Sequence, residues 1–210
     1  MKNIYIIGAQ STGKTTLINA LEDYWKGGAY GNGSTWPQHP LIIREVARTV
    51  LTEKNFSRED IATSPTRALQ LQQHILAAQY KAETMACAPN ASPWYICDRS
   101  GLDPIVYATC FVGAEAAADM LNSKIWLELE IRMKEGIVIL CEAGCHWLTD
   151  DGVRLMPKNV EEWTRMETAF RDLLAARGIG FSTVSRDMTD LKLRVGYVQK
   201  LIEDAFEQTL

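Results

Sequence analysis

Near its start the chain runs Ile4-Tyr5-Ile6-Ile7 straight into Gly8-Ala9-Gln10-Ser11-Thr12-Gly13-Lys14-Thr15, and no other stretch restricts the fold so tightly. The two glycines let a short loop curl until successive backbone amides point at one spot, where they suit an anion. Lys14 brings a positive charge to that spot, and the Thr15 hydroxyl is placed to join the shell of a hard divalent cation. Thr15 to Trp25 carry Leu17, Ile18, Leu21 and Tyr24 at helical spacing. The loop is therefore predicted to open a helix whose positive N-terminal end adds to the anion site. A strand before and a helix after are what this spacing needs to be a phosphate cradle rather than a glycine-rich turn. Gly8, Ser11, Thr12, Gly13, Lys14, Thr15 and Thr16 are the candidate phosphate contacts.

Beyond this motif, short apolar runs alternate with longer stretches of helical period, the pattern of a parallel sheet covered by crossover helices. Strands are predicted at Asn3–Ile7, Leu41–Ile43, Trp94–Cys97, Gly136–Cys141 and Gly180–Val184. Further helices are predicted at Pro65–Met85, from Asn159 or Val160 to Arg177, and at Asp190–Glu207. Leu191, Val195, Val198 and Ile202 should form the inner side of the last one. The expected fold is that of P-loop NTPases: α/β, with five parallel strands in the order 2-3-1-4-5, helices on both faces and a small lid near residues 145–160. Residues 26–40, rich in glycine and proline, read as a surface connection or insertion near the site. With 210 residues and no linker, the whole of 1–210 is expected to be one domain.

The formal charge of −4 offers no general basic surface, so neither a nucleic acid polymer nor a membrane is expected as partner. Five cysteines without a Cys-x-x-Cys pair suggest neither a disulfide framework nor a zinc site. Cys141, Cys145 and His146 are better explained by an apolar strand running into a loop than by a metal. The N-terminus has no secretory pattern, which makes the cytoplasm the expected compartment.

What happens to the bound phosphates is a separate question, and the ends of the second and third strands bear on it. Trp94-Tyr95-Ile96-Cys97-Asp98-Arg99-Ser100 delivers an acid to the carboxyl edge of the sheet, where open α/β folds bind ligands. Asp98 is the candidate second Mg²⁺ contact beside Thr15. A mechanical ATPase usually follows this acid with a glutamate that polarises water. Here Arg99 follows, and transfer to another molecule is favoured over hydrolysis.

Asp-Arg-Ser after a strand resembles the corresponding segment of deoxynucleoside and nucleotide kinases. Arg44-Glu45-Val46-Ala47-Arg48 resembles a Glu-Tyr-Gly-Arg or Glu-Tyr-Ala-Arg signature found in the nicotinamide riboside kinase domain of NadR-type proteins and in stand-alone AAA-type ATPase-like proteins. The helix with Arg67-Ala68-Leu69-Gln70-Leu71-Gln72-Gln73-His74 and the segment Trp147 to Arg154 are similar to parts of the same group, so the resemblance runs along most of the chain. Ser100 stands where the bacterial domains carry a second acid, and the adenylyltransferase and DNA-binding parts have no counterpart in this sequence.

The resemblance implies an ATP- and Mg²⁺-dependent kinase acting on a hydroxyl of a small, nucleoside-like metabolite. Lys14, Asp98, Glu45 and Arg154 would be its catalytic residues, and Glu45, Arg48, Gln73 and Arg99 its acceptor contacts; Gln73 is the favoured one of Gln70, Gln72 and Gln73, whose amides could read a base or ring edge. Glu45 would take the hydroxyl proton or hold the acceptor; Arg154 would reach the transferring phosphoryl group from the lid. Asp150 and Asp151 orient that lid or begin a turn. Trp36, Trp94 and Trp147 are candidate stacking residues, with Trp94 favoured for the core. ATP is expected over GTP because the guanine-reading Asn-Lys-x-Asp pattern is missing. The alternative is a nucleotide-dependent binding or switch protein with a protein or phosphoinositide partner and little turnover, as some stand-alone relatives are known to be.

Overall fold

The computed structural model describes residues 2–26, 39–88, 92–145 and 160–207. Their order is β1 (Ile4–Ile7), α1 (Lys14–Lys26), β2 (Leu41–Ile43), α2 (Val46–Glu53), α3 (Arg58–Thr63), α4 (Pro65–Ala86), β3 (Tyr95–Asp98), α5 (Leu102–Phe111), α6 (Ala114–Leu121), α7 (Lys124–Glu135), β4 (Ile137–Cys141), α8 (Val160–Ala176), β5 (Ser182–Val184) and α9 (Leu191–Glu207). The strands form one parallel sheet in the order β2-β3-β1-β4-β5, as the crossover argument predicts. β1 lies at its centre, with Ile4 beside Ile96 of β3 and Ile137 of β4.

Period-two alternation sorts the strand side chains to two cores. Tyr5, Ile7, Tyr95, Cys97, Val138 and Leu140 face a cluster built with helices α4 to α8, where Trp126, Leu129, Trp163 and Phe170 are buried. Ile4, Ile6, Trp94, Ile96, Ile139 and Val184 face the other side and meet Leu17, Ile18, Leu21 and Trp25 of α1 and Val198 and Ile202 of α9. Trp94 is therefore a core residue, wedged edge-on against Trp25 and Phe206.

Two helical faces are rotated from the predicted ones. In α1, Tyr24 is exposed and Trp25 takes the inner place. In α9, Val198 and Ile202 are buried as expected, but Leu191 is exposed and Arg194 is the buried residue one turn before Val198. α4 starts where Ser64-Pro65 requires: the Ser64 side chain accepts a hydrogen bond from the Arg67 amide at 3.3 Å, and proline fills the first turn. Helices α5, α6 and α7 lie in a stretch that periodicity left unassigned. The predicted lid and the 26–40 connection fall almost wholly outside the described residues, and with them Trp36, Trp147, Asp150, Asp151 and Arg154. No described helix is long and apolar enough to cross a membrane.

Candidate active site

The loop from Gly8 to Gly13 joins the carboxyl end of β1 to α1. Gly8 has φ +130°, and a Cβ there would stand 2.5 Å from the carbonyl oxygen of Cys141 on β4, so no other residue fits. Gly13 also has positive φ, and so does Ser11 at 59°, a left-handed conformation that a non-glycine residue adopts at some cost. In a curled loop the amides face inward only if the carbonyls face outward, and those carbonyls need donors. The protein supplies them. Ala9 accepts from the Thr12 hydroxyl at 3.0 Å and from the Lys14 ammonium, Gln10 accepts from the Trp163 indole at 2.9 Å, and Thr12 accepts from the Arg194 guanidinium at 2.9 Å.

Lys14 is 4 % exposed. Burial, aided by the charge of Arg99, pulls its pKa down to about 8, with Asp103 and Asp98 acting the other way. Lys14 therefore gives up its proton more readily than an ordinary lysine, and a phosphate anion beside it would raise the pKa again.

The Thr15 hydroxyl donates to Asp98 Oδ2 at 2.6 Å, tying the first turn of α1 to the end of β3. Asp98 Oδ1 is buried and has no hydrogen-bond partner among the described residues. An orphaned carboxylate oxygen beside a hydroxyl is a donor set that fits a hard cation, and Thr15 and Asp98 would hold Mg²⁺ directly or through water. Such an ion, when bound with a nucleotide, neutralises charge on the phosphate oxygens.

Arg99 follows directly and takes φ 83°, again left-handed, while its amide donates to Ile6 at 3.0 Å. Its guanidinium donates to Glu45 Oε1 at 2.7 Å and to Asp103 Oδ1 at 3.4 Å. Burial alone would weaken its charge, but Glu45, Tyr107, Asp103 and Asp98 outweigh that and push its pKa well up. The Asp103 carboxylate accepts from the Ser100 amide and hydroxyl at 2.8 and 2.9 Å; burial nevertheless raises its pKa, against Arg99 and Lys14. Glu45 stands just before α2, with its second oxygen taken by Arg48 at 3.0 Å.

These side chains wall one end of a cavity of ≈ 70 Å³. The rest of the lining is mainly apolar: Leu51, Ile61, Leu71, Ile75 and the ring of Tyr107, with Gln72 as a polar exception. Glu45 and Arg99 therefore meet at this cavity, beside the phosphate loop, while Arg48 is exposed and holds Glu45 from outside. Gln73 is exposed and does not line the cavity; Gln72, 5 % exposed, does. Leu71, Gln72 and Ile75 share the inner face of the helix, and Gln73, about 100° further round from Gln72, falls beyond its edge.

Asp103, Tyr107, Trp163 and Arg194 were not among the sequence candidates, and of the three glutamines considered on this helix it is Gln72, not the favoured Gln73, that lines the cavity. The apolar spacing of α4 carries a signal for Gln72, since Ala68, Leu71, Ile75 and Leu76 are its buried neighbours. Arg194 carries none, because its target lies 182 residues away.

A family model described as an AAA domain matches residues 3–191. The chain belongs to this AAA domain family. No curated protein matches it in sequence. Among solved structures, this AAA domain is similar to deoxyadenosine kinase from M. mycoides with bound dATP, at TM-score 0.61 and 14 % identity over 97 % of this chain and 100 % of that one. NadR protein in complex with NR gives TM-score 0.65 and 17 % identity over 97 % of this chain, which spans 50 % of the NadR chain. Thymidylate kinase from Ehrlichia chaffeensis gives 0.60 and 18 % over 96 % of this chain and 98 % of that one. At these identities the likeness is one of fold, that of P-loop kinases.

Proposed function

We propose that this protein is a phosphotransferase that moves the γ-phosphoryl group of Mg²⁺-ATP to a hydroxyl of a small, nucleoside-like metabolite. The observation that carries this reading is a mainly apolar cavity lined also by Glu45, Arg99 and Asp103, and linked to the phosphate loop through the Tyr107–Gln10 hydrogen bond and through the charges of Arg99 and Asp103 that act on Lys14. A protein that only hydrolyses ATP has no use for an organic pocket beside the transferring group. The fold likeness to deoxyadenosine, thymidylate and NadR proteins agrees with it, as does the AAA domain membership.

In this reading Lys14 pairs with the β- and γ-phosphates and the loop amides hold their oxygens. Thr15 and Asp98 would hold the Mg²⁺. Glu45 receives the acceptor hydroxyl, as base or as anchor, once the acceptor competes for the oxygen that Arg99 or Arg48 occupies. Arg99 and Asp103 fix the acceptor's polar edge, and Gln72 offers an amide with both donors and an acceptor to a planar group lying along Tyr107. Catalysis then consists of positioning and charge neutralisation. Arg154 keeps its proposed role on sequence position alone. We also propose a single domain over 1–210, a cytoplasmic location and kinship with the NadR-type kinase group.

The test is transfer of label from γ-³²P-ATP. The purified protein is offered deoxyadenosine, thymidine, nicotinamide riboside and then a small-molecule cell extract, and products are separated from ATP and free phosphate. A labelled small molecule that disappears with Asp98→Asn supports the proposal. Label only in inorganic phosphate across the panel and the extract, with a protein or phosphoinositide bound only in the presence of nucleotide, replaces it with a switch protein.

A further inference from the structure

Gln10 is the third residue of the phosphate loop, is 1 % exposed, and has its side chain bonded to a residue of the neighbouring cavity. Its Oε1 accepts a hydrogen bond from the Tyr107 hydroxyl at 2.6 Å, and Tyr107 lines the cavity with the Arg99 guanidinium 5.8 Å from its ring centre. The Gln10 backbone carbonyl meanwhile accepts from the Trp163 indole, which is itself 1 % exposed on α8. One residue of the cradle is thus bonded on one side to α5 and on the other to α8.

The consequence lies in the next peptide. The carbonyl of Gln10 and the amide of Ser11 belong to one planar unit, so whatever fixes the carbonyl fixes the amide. Ser11 has φ 59°, a conformation that a serine leaves when nothing holds it. The direction of that amide is therefore set by its neighbours and not by local preference.

We propose that Gln10 and Tyr107 form a positioning pair that, together with Trp163, keeps the Ser11 peptide turned toward the phosphates. The wall of the acceptor cavity is thereby a working part of the nucleotide site. In its mention of an acceptor this rests on the phosphotransferase reading; the effect on nucleotide does not.

The test uses N-methylanthraniloyl-ATP with Mg²⁺ and no acceptor. Tyr107→Phe keeps the ring and removes the hydroxyl, and its Kd should rise about fivefold, the scale of one hydrogen bond. Gln10→Ala should do at least as much, and the double variant no more than Gln10→Ala alone. A second readout is the indole N–H resonance of Trp163 in a ¹⁵N-tryptophan spectrum, assigned by its loss in Trp163→Phe. It should shift in Tyr107→Phe, which a merely structural role for a hydroxyl on α5 would not produce. A Kd within twofold of wild type in both single variants, additive losses in the double, or an unmoved Trp163 resonance overturns the proposal. Because no acceptor is present, these outcomes are separate from a failure to find phosphoryl transfer.

Discussion

Lys14 shows how much a single side chain decides. Its folded pKa is about 8 against 10.5 for an ordinary lysine, chiefly because it is buried. Below about pH 8 both folded and unfolded chains carry the proton, and the burial cost is present in full. Between the two values the folded protein gives up its proton first, so unfolding takes one up and stability rises with pH. Lys14→Met should lose ATP binding at micromolar concentration and lack that rise, as urea unfolding on either side of pH 8 would measure. An identical pH slope in the two proteins would refute the assignment of the cost to Lys14. Asp98 acts on a different quantity. With one oxygen bonded to Thr15 and the other orphaned, its proposed partner is the metal and not the nucleotide base. Asp98→Asn is expected to slow transfer at least about a hundredfold while ATP binding stays within a few fold. Stopped-flow binding and single-turnover transfer distinguish the two.

Among the elements, α9 does more than cover the sheet. Arg194 is buried on it and donates to the Thr12 carbonyl, so the last helix helps shape the first loop. Arg194→Met keeps an unbranched apolar stem and removes the guanidinium, leaving that carbonyl without its donor. ATP affinity should fall about five- to tenfold, with a stability loss on the order of 1–3 kcal/mol, measured by nucleotide titration and urea unfolding. Retained affinity would reduce Arg194 to packing. Elements differed in how well the sequence revealed them. β1, the phosphate loop and α1 were legible because glycine, lysine and hydroxyl spacing is a chemical requirement. β1, β3 and β4 were legible because a strand buried on both faces reads as a continuous apolar run, whereas β2 and β5, at the partly exposed edges of the sheet, carry a weaker signal. α5, with Leu102, Ile105, Val106 and Ala108 all buried, has too little polar face for periodicity to mark it. Glu45, Asp98 and Arg99 could be found at strand ends, where ligands gather. Asp103, Tyr107 and Arg194 could not, since their partners are set by how helices pack and not by local pattern.

For the molecule as a whole, the sheet divides labour. One core packs α1 and α9 on the sheet; the other, with α4, α5 and α8, supplies Trp163 to the phosphate loop; a third, smaller cluster between α2, α3 and α4 gives the cavity its Leu51, Ile61, Leu71 and Ile75. β3 joins them, carrying Asp98 to the loop and Arg99 to the cavity. If the cavity is the acceptor site, blocking it must stop transfer and spare the nucleotide. Ala47 lines it from α2 and is only half-buried, so a larger side chain can enter the space without forcing the main cores apart. Ala47→Phe is expected to leave the Kd for Mg²⁺-ATP within about threefold, because the cavity it fills is lined by neither Lys14 nor Asp98. Transfer to a small acceptor should fall at least about tenfold, through a raised acceptor KM, since an occupied pocket loses most of its apolar contact area. If transfer persists at the wild-type KM, the acceptor binds elsewhere. If instead no transfer exists to lose and a partner protein still binds in the presence of ATP, the cavity serves packing and the protein works as a switch.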